Sequence, residues 1–348
     1  MKQKLKRLLL ASGLILALAV QLTGCGKSPD TKTAATEAAK PEVVNIGFQD
    51  IPNDEIVAKV KNWYESELGV KVNFKKFDSG RDVNNAFASK SIDIALVGTT
   101  PAAVGIAKGV GYEVFWIHDV IGAAESLAVK NSANINSIKD LKGKKVAVPF
   151  SSTAHYSLLN ALKLEGVNPS EVKILDMQPP DIFAAWQRGD IDAAYVWNPV
   201  LGKLLADGKT LTDSGKLAEK GIVTADVGVV SKEFAQKYPD IVAKYIKVQQ
   251  KAHDLYQSNP DEAAEALAKG LNIDKADALN QTKELIWLSA KDQLSDKYFG
   301  TSAKKGDLAK ILKATADFLV EQKAIESAPG QETFDQGINA TYIEGALK

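Results

Sequence analysis

DIFAAWQRGDIDAAYVW, residues 181–197, runs in register with DVNNAFASKSIDIALVG, residues 82–98, at a constant offset of 99 residues. In each copy an Asp opens a short helix, and small residues with one aromatic (Phe87, Trp186) mark its buried face. An Ile-Asp pair then leads into an apolar run that reads as a buried strand. The stretches flanking the two copies also match. Strands are expected at 43–48, 70–77, 92–97, 112–118 and 127–130 in the first half, and at 144–149, 172–176 and 191–196 in the second. Strand, loop, helix, strand, helix and strand in the same order twice predict two α/β lobes of similar build. Residue 226 opens a further apolar run, VGVV, expected to return the chain to the first lobe. Beyond Glu233 the apolar spacing is helical.

VAVPFSSTAHYSLLNAL, residues 146–162, adds the chemistry. A short apolar run ends at Pro149-Phe150. The hydroxyls of Ser151, Ser152 and Thr153 follow, and then a helical pattern through Tyr156, Leu159 and Leu162. The first turn of such a helix offers free amides and the positive end of the helix dipole, which together favour an anion. Taken alone, the hydroxyls read equally as an N-cap. In open α/β sheets ligands bind beyond the carboxyl ends of the strands. That places Gln49, Asp78, Ser79, Thr99, Thr100, Ser152, Thr153, Trp197 and Asn198 around one cleft between the lobes. Arginine, the usual clamp for oxyanions, occurs only at positions 7, 81 and 188, so the expected anion site works with neutral donors.

The chain of 348 residues carries 43 basic and 43 acidic residues. With no basic excess, nucleic acid is excluded as an expected partner. Residues 2–7 hold four cations and residues 8–22 are apolar. Leu22-Thr23-Gly24-Cys25 then resembles a bacterial lipobox. The expectation is a signal peptide at 1–24, a lipid on Cys25 and a flexible tether at 25–42. Cleavage leaves 39 basic against 43 acidic residues, a net charge of −4. Cys25 is the sole cysteine, so no disulfide forms within the chain. His118, His155 and His253 lack metal-ligand spacing. No metal and no cofactor is expected.

FDSG (residues 77–80), VPFSSTAHYSLL (148–159) and QPPDIFAAWQRGDIDAAYVW (178–197) resemble the sulfonate, nitrate and taurine receptors of ABC importers, a periplasmic-binding-protein type II family. The similarity runs from about residue 43 to residue 230. It implies a two-lobed fold, with lobe 1 at 43–127 and 226–348 and lobe 2 at 128–225. It also implies a monomeric, exported, lipid-anchored receptor that closes on taurine (2-aminoethanesulfonate) and passes it to a membrane permease and, through that, to an ATPase subunit. Thr99, Thr100, Ser152 and Thr153 are then the expected sulfonate donors, supported by Tyr156. Asp226 is the expected partner of the ammonium, with Glu125 second and Trp197 stacked on the cation. The hinge is expected at 127–130 and 225–228. Two departures from the family pattern are the Gly98-Thr99-Thr100 loop, which keeps its hydroxyls, and Asn198, which suggests a different or larger solute. Receptors for other alkanesulfonates or for nitrate-like and bicarbonate-like anions share the architecture. Cytoplasmic pyrimidine-synthase and menaquinone-pathway enzymes share it too. The export signal and the lack of a Gly-x-Ser-x-Gly or His-Glu-x-x-His pattern set the enzymes aside.

Overall fold

The computed structural model describes residues 40–348. The expected signal peptide, Cys25 and nearly all of the tether lie outside them. The described chain carries eleven strands: β1 (Val43–Phe48), β2 (Lys71–Lys76), β3 (Ile94–Gly98), β4 (Tyr112–Ile121), β5 (Glu125–Lys130), β6 (Lys145–Val148), β7 (Lys173–Asp176), β8 (Ala193–Trp197), β9 (Gly208–Asp213), β10 (Ala225–Ser231) and β11 (Leu285–Ile286). They form two sheets, ordered β11-β4-β10-β3-β1-β2 and β7-β6-β8-β5-β9. Each is a lobe of α/β build, as the matched halves predict.

The two sheets follow one plan. β1 lies parallel between β2 and β3, and β6 lies parallel between β7 and β8. Next to β3 runs antiparallel β10, and next to β8 runs antiparallel β5. Each of these antiparallel strands enters its sheet directly from the other lobe. The repeated Ile-Asp pair has a defined task. Asp93 Oδ2 accepts from the Asn45 amide and Asp192 Oδ2 from the Lys145 amide, both at 2.8 Å. The carbonyl of Asp93 accepts from Ser231 and that of Asp192 from Lys130. One carboxylate per lobe thus ties three strands together at the end away from the cleft.

Apolar residues of β1, β3, β4 and β10 build the larger core, with helices Pro239–Ser258, Pro260–Leu271 and Leu308–Glu321 packed against them. The second sheet has a core on each face, one around Leu158 and Tyr195, the other around Trp186 and Val196. Among the described residues no helix is long and apolar enough to cross a membrane.

The crossings lie a few residues from their expected places. β5 begins at Glu125 and is paired on both sides through Lys130, so residues 125–127 belong to the second sheet. Ala225 already pairs with Val120 in the first sheet. The expected hinge segments 127–130 and 225–228 are therefore laddered strand, whose hydrogen bonds hold their dihedrals. The strand-free links are residues 122–124 and 219–224. They touch through the bond from the Ile121 amide to the Thr224 carbonyl, 3.0 Å. At Gly122 a Cβ would lie 2.4 Å from the Glu284 carbonyl oxygen, so only glycine passes there.

Candidate functional site

Three helix N-termini meet where the lobes face each other. Helix Gly80–Ala88 starts after Ser79, helix Thr99–Ala107 after Gly98, and helix Thr153–Leu164 after Ser152. Two glycines allow the approach. A Cβ on Gly80 would lie 2.4 Å from Pro101 Cγ, and a Cβ on Gly98 would lie 2.7 Å from Thr153 Cγ2. The second contact crosses from one lobe to the other. The first-turn amides have no acceptor inside their own helices, so the cluster is a strongly positive pole made without a charged side chain.

Beside it lies a narrow pocket between the two lobes. Ile51, Pro52, Ile121, Ala124 and Leu285 give it apolar walls, and among the described residues lining it there is no Lys, Arg or His. The two described arginines are engaged elsewhere: Arg81 with Asp176 at 2.6 Å and Arg188 with Asp190 at 2.7 Å.

Two carboxyls form the opposite pole. Asp226 lies on β10 beside Gly98, and Glu125 lies on β5 beside Trp197. Gly98 and Trp197 are the matched ends of the sequence repeat, so the acids hold equivalent register positions in the two lobes. Glu125 Oε2 accepts from Thr153 Oγ1 at 2.5 Å and Oε1 from Ser214 Oγ at 2.7 Å. Burial raises its carboxyl to about 7, against the lowering effect of the hydroxyls of Thr153, Ser214 and Ser157. Burial drives Asp226 well above the carboxylate range, with the charges of Asp119 and Glu125 adding to the shift. Such a pole favours a cation that makes both carboxylates cheap to ionise.

Of the expected site residues, Gln49, Glu125, Ser152, Thr153, Trp197, Asn198 and Asp226 line this cavity. Ser79 is buried at the helix start next to it, and its hydroxyl accepts from Gln178 Nε2 at 3.2 Å. The other four do not line it. Asp78 is exposed. Tyr156 points along its helix flank to Phe318, edge-on at 5.2 Å between ring centroids. Thr99 Oγ1 accepts from the Ala225 amide at 3.3 Å. Thr100 is fully buried, and its hydroxyl has no partner among the described residues. The hydroxyls of Ser152 and Thr153 are also committed: Ser152 donates to the Pro149 carbonyl and caps His155, and Thr153 serves Glu125. The hydroxyls of Thr99, Ser152 and Thr153 thus make hydrogen bonds within the protein, while that of Thr100 makes none among the described residues. Asn198 donates to Glu284 Oε2 at 2.7 Å, which uses it as a strut between the second lobe and the C-terminal part. The apolar wall residues gave no sequence signal of their own. Leu285 sits on a two-residue strand inside a segment that reads as helix.

The lobes are latched around the cavity by Arg81 with Asp176 and by Gln178, which donates to Ser79 and to Asp82 Oδ2 at 3.1 Å. Ser79 and Gln178 stand 99 residues apart. They are the same position in the two halves, and their contact is what a two-fold relation gives to residues near its axis.

Residues 54–263 match the family model described as NMT1/THI5 like. The chain is 37% identical over 307 residues to the taurine-binding periplasmic protein of Escherichia coli K12, covering 86% of this chain and 92% of that one. It is 28% identical to a putative aliphatic sulfonates-binding protein of Bacillus subtilis 168, covering 97% of both. Among solved structures, the alkanesulfonate-binding protein SsuA of Xanthomonas axonopodis pv. citri bound to MOPS superposes with a TM-score of 0.72 at 21% identity, covering 87% of this chain and 100% of that one. The fold is thus that of the periplasmic binding proteins, and the chain belongs to the NMT1/THI5-like family.

Proposed function

We propose that this chain is the solute receptor of an ABC importer and that its ligand is taurine. One observation carries the reading. The cavity has a positive pole of helix N-termini, without a cation, and a negative pole of two buried carboxyls. A sulfonate remains ionised at every physiological pH and is weakly basic, so oriented amides suffice for it. An ammonium at the other end lets Asp226 and Glu125 ionise, and Trp197 offers its ring beside them. Both poles draw on both lobes. A ligand spanning them makes contacts that exist only when the lobes are shut, and so shifts the population toward the closed form.

The homologues named for taurine and aliphatic sulfonates support a binding role over an enzymatic one. Export and anchoring through Cys25, action as a monomer, and hand-over to a permease with its ATPase belong to the same proposal. Their basis is the lipobox-like sequence and the periplasmic relatives. The apolar wall keeps longer alkanesulfonates as a second reading. A thermal-shift series with taurine, ethanesulfonate, β-alanine, sulfate and nitrate tests these assignments. Taurine is expected to stabilise most. No shift with any sulfonate would sink the receptor reading, and equal shifts with ethanesulfonate and taurine would remove the ammonium pole.

A further inference from the structure

Asp119 is fully buried on β4 and does not line the cavity. It is the register partner of Asp226 on β10, so the two side chains stand side by side on one face of the sheet. Asp119 Oδ2 accepts from Asn53 Nδ2 at 2.9 Å, while no donor among the described residues reaches Oδ1. A buried acceptor left without a donor is costly. Two carboxylates side by side in a dry site do not both ionise, and one proton between them satisfies the orphan oxygen and removes a charge. Among the described residues the cation acting on the pair is His118, whose charge lowers the Asp119 carboxyl against the effect of burial. Asp54 and Glu55 face the pair from helix Asp54–Val60, and Glu125 faces it from β5. His118, next to Asp119 on β4, gives its Nδ1 to Asp54 at 2.6 Å.

We propose that Asp119 is the positioning residue of the ammonium subsite: with Asp226 it holds one shared proton in the ligand-free protein, and the ligand's ammonium takes that proton's place. No bond between heavy atoms changes. The proton leaves the carboxyl pair for water or buffer, and the ammonium donates to the Asp226 carboxylate that remains. The inference rests on reading the cavity as an amino-sulfonate site. It adds a selection rule: a sulfonate without a cation leaves the pair protonated and releases nothing. Burial holds Asp119 up to about 7 and raises Asp226 well above the ordinary carboxylate range, so the pair keeps a proton at pH values where exposed carboxyls are ionised.

Calorimetry of taurine binding near pH 6.5, repeated in buffers with different heats of ionisation, counts the protons released. The full chain is expected to release at least one proton with taurine, from the Asp119–Asp226 pair and from Glu125 as it ionises, and none with ethanesulfonate. Below the neutral range its taurine affinity falls at least about tenfold per pH unit. Asp119→Asn, in which Asp226 loses the neighbouring charge but stays buried, is expected to release fewer protons than the unmutated protein and to show a shallower loss of affinity below the neutral range. If the variant is instead weakened equally at every pH and still releases as many protons, Asp119 is only structural and the proposal falls. Taurine binding by the unmutated protein with no dependence on buffer also overturns it, while leaving the receptor reading in place. If taurine does not bind at all, the receptor reading fails first. The infrared carbonyl band of a protonated carboxylic acid in the ligand-free protein at neutral pH, compared with Asp119→Asn, then reports the shared proton without ligand: part of the band is expected to be lost in the variant. A band that is absent, or unchanged in the variant, overturns the proposal.

Discussion

Burial holds the Asp226 carboxyl well above its ordinary range, and Asp119, Glu125 and Glu55 push it the same way. Its ionised form is therefore a burden on the ligand-free fold. A group whose folded pKa is raised contributes fully below its unfolded value near 4, and that contribution is lost as pH rises through the folded value. Asp226→Asn is thus expected to raise the melting temperature of the ligand-free protein at about pH 8. The same change is expected to weaken taurine binding by about 2 kcal/mol, roughly thirtyfold, because the desolvated ammonium loses its partner. Paired thermal melts and calorimetry check both signs; a variant that loses stability and keeps affinity would place Asp226 outside the site. Asp226 was legible in the sequence only through family resemblance, since an Asp at a strand start is ordinary. Asn53 and Asp119, which support it, carried no signal. Their role comes from β4 and β10 meeting in antiparallel register, and spacing along the chain does not encode that meeting. Tyr156 shows the converse. Its place one turn into the helix suggested the ligand, but helical geometry aims it at Phe318.

At the level of elements, the site depends on how closely three helices approach one another. Gly98 has an ordinary φ of −67°, so alanine strains no backbone there. Its methyl meets Thr153 Cγ2 only across the shut cleft. Gly98→Ala is expected to leave the melting temperature nearly unchanged and to cost at least about tenfold in taurine affinity, about 1.4 kcal/mol. Small-angle scattering at saturating taurine should show it more open than the unmutated protein, and equal compactness would refute the wedge. Ser152→Ala removes the cap on His155 and is expected to cost about 1 kcal/mol of stability, read by denaturant unfolding. Most elements were legible because their apolar residues recur at the right period: β1 falls at the expected residues, and β3 and β8 fall within two. β9 was not. GKTLTD is a partly exposed edge strand with no apolar alternation to betray it, and its pairing with β5 is a tertiary fact.

Across the whole molecule, four buried acids shape the response to pH. Glu55, Asp119 and Glu125 are each raised to about 7 by burial, and Asp226 is raised well above its ordinary value. Stability of the ligand-free protein is expected to fall as pH climbs from about 5 to about 8. The thermal shift given by taurine should grow over the same range, because the ligand supplies the missing cation. A taurine shift that shrinks with pH would contradict the charge assignment of the cleft. The Arg81–Asp176 latch is half-exposed, so its loss in Arg81→Ala is expected to cost less than about 1 kcal/mol of affinity. The two-lobed plan was legible because the chain repeats itself at a fixed offset, whereas the crossings were misplaced by a few residues because strands and links share an apolar composition. The crossing strands also set the order in which the molecule can be completed as it is synthesised. Everything the second sheet needs lies between Glu125 and Asp213. The first sheet starts at Val43 but has β10 wedged between β3 and β4. A nascent chain ending at residue 224 therefore contains one finished sheet and one split down its middle, with the wholly buried strand β3 presenting an unpaired apolar edge. The lobe that begins first is closed last, and until Ser231 has emerged it is the part of the chain most in need of protection from aggregation.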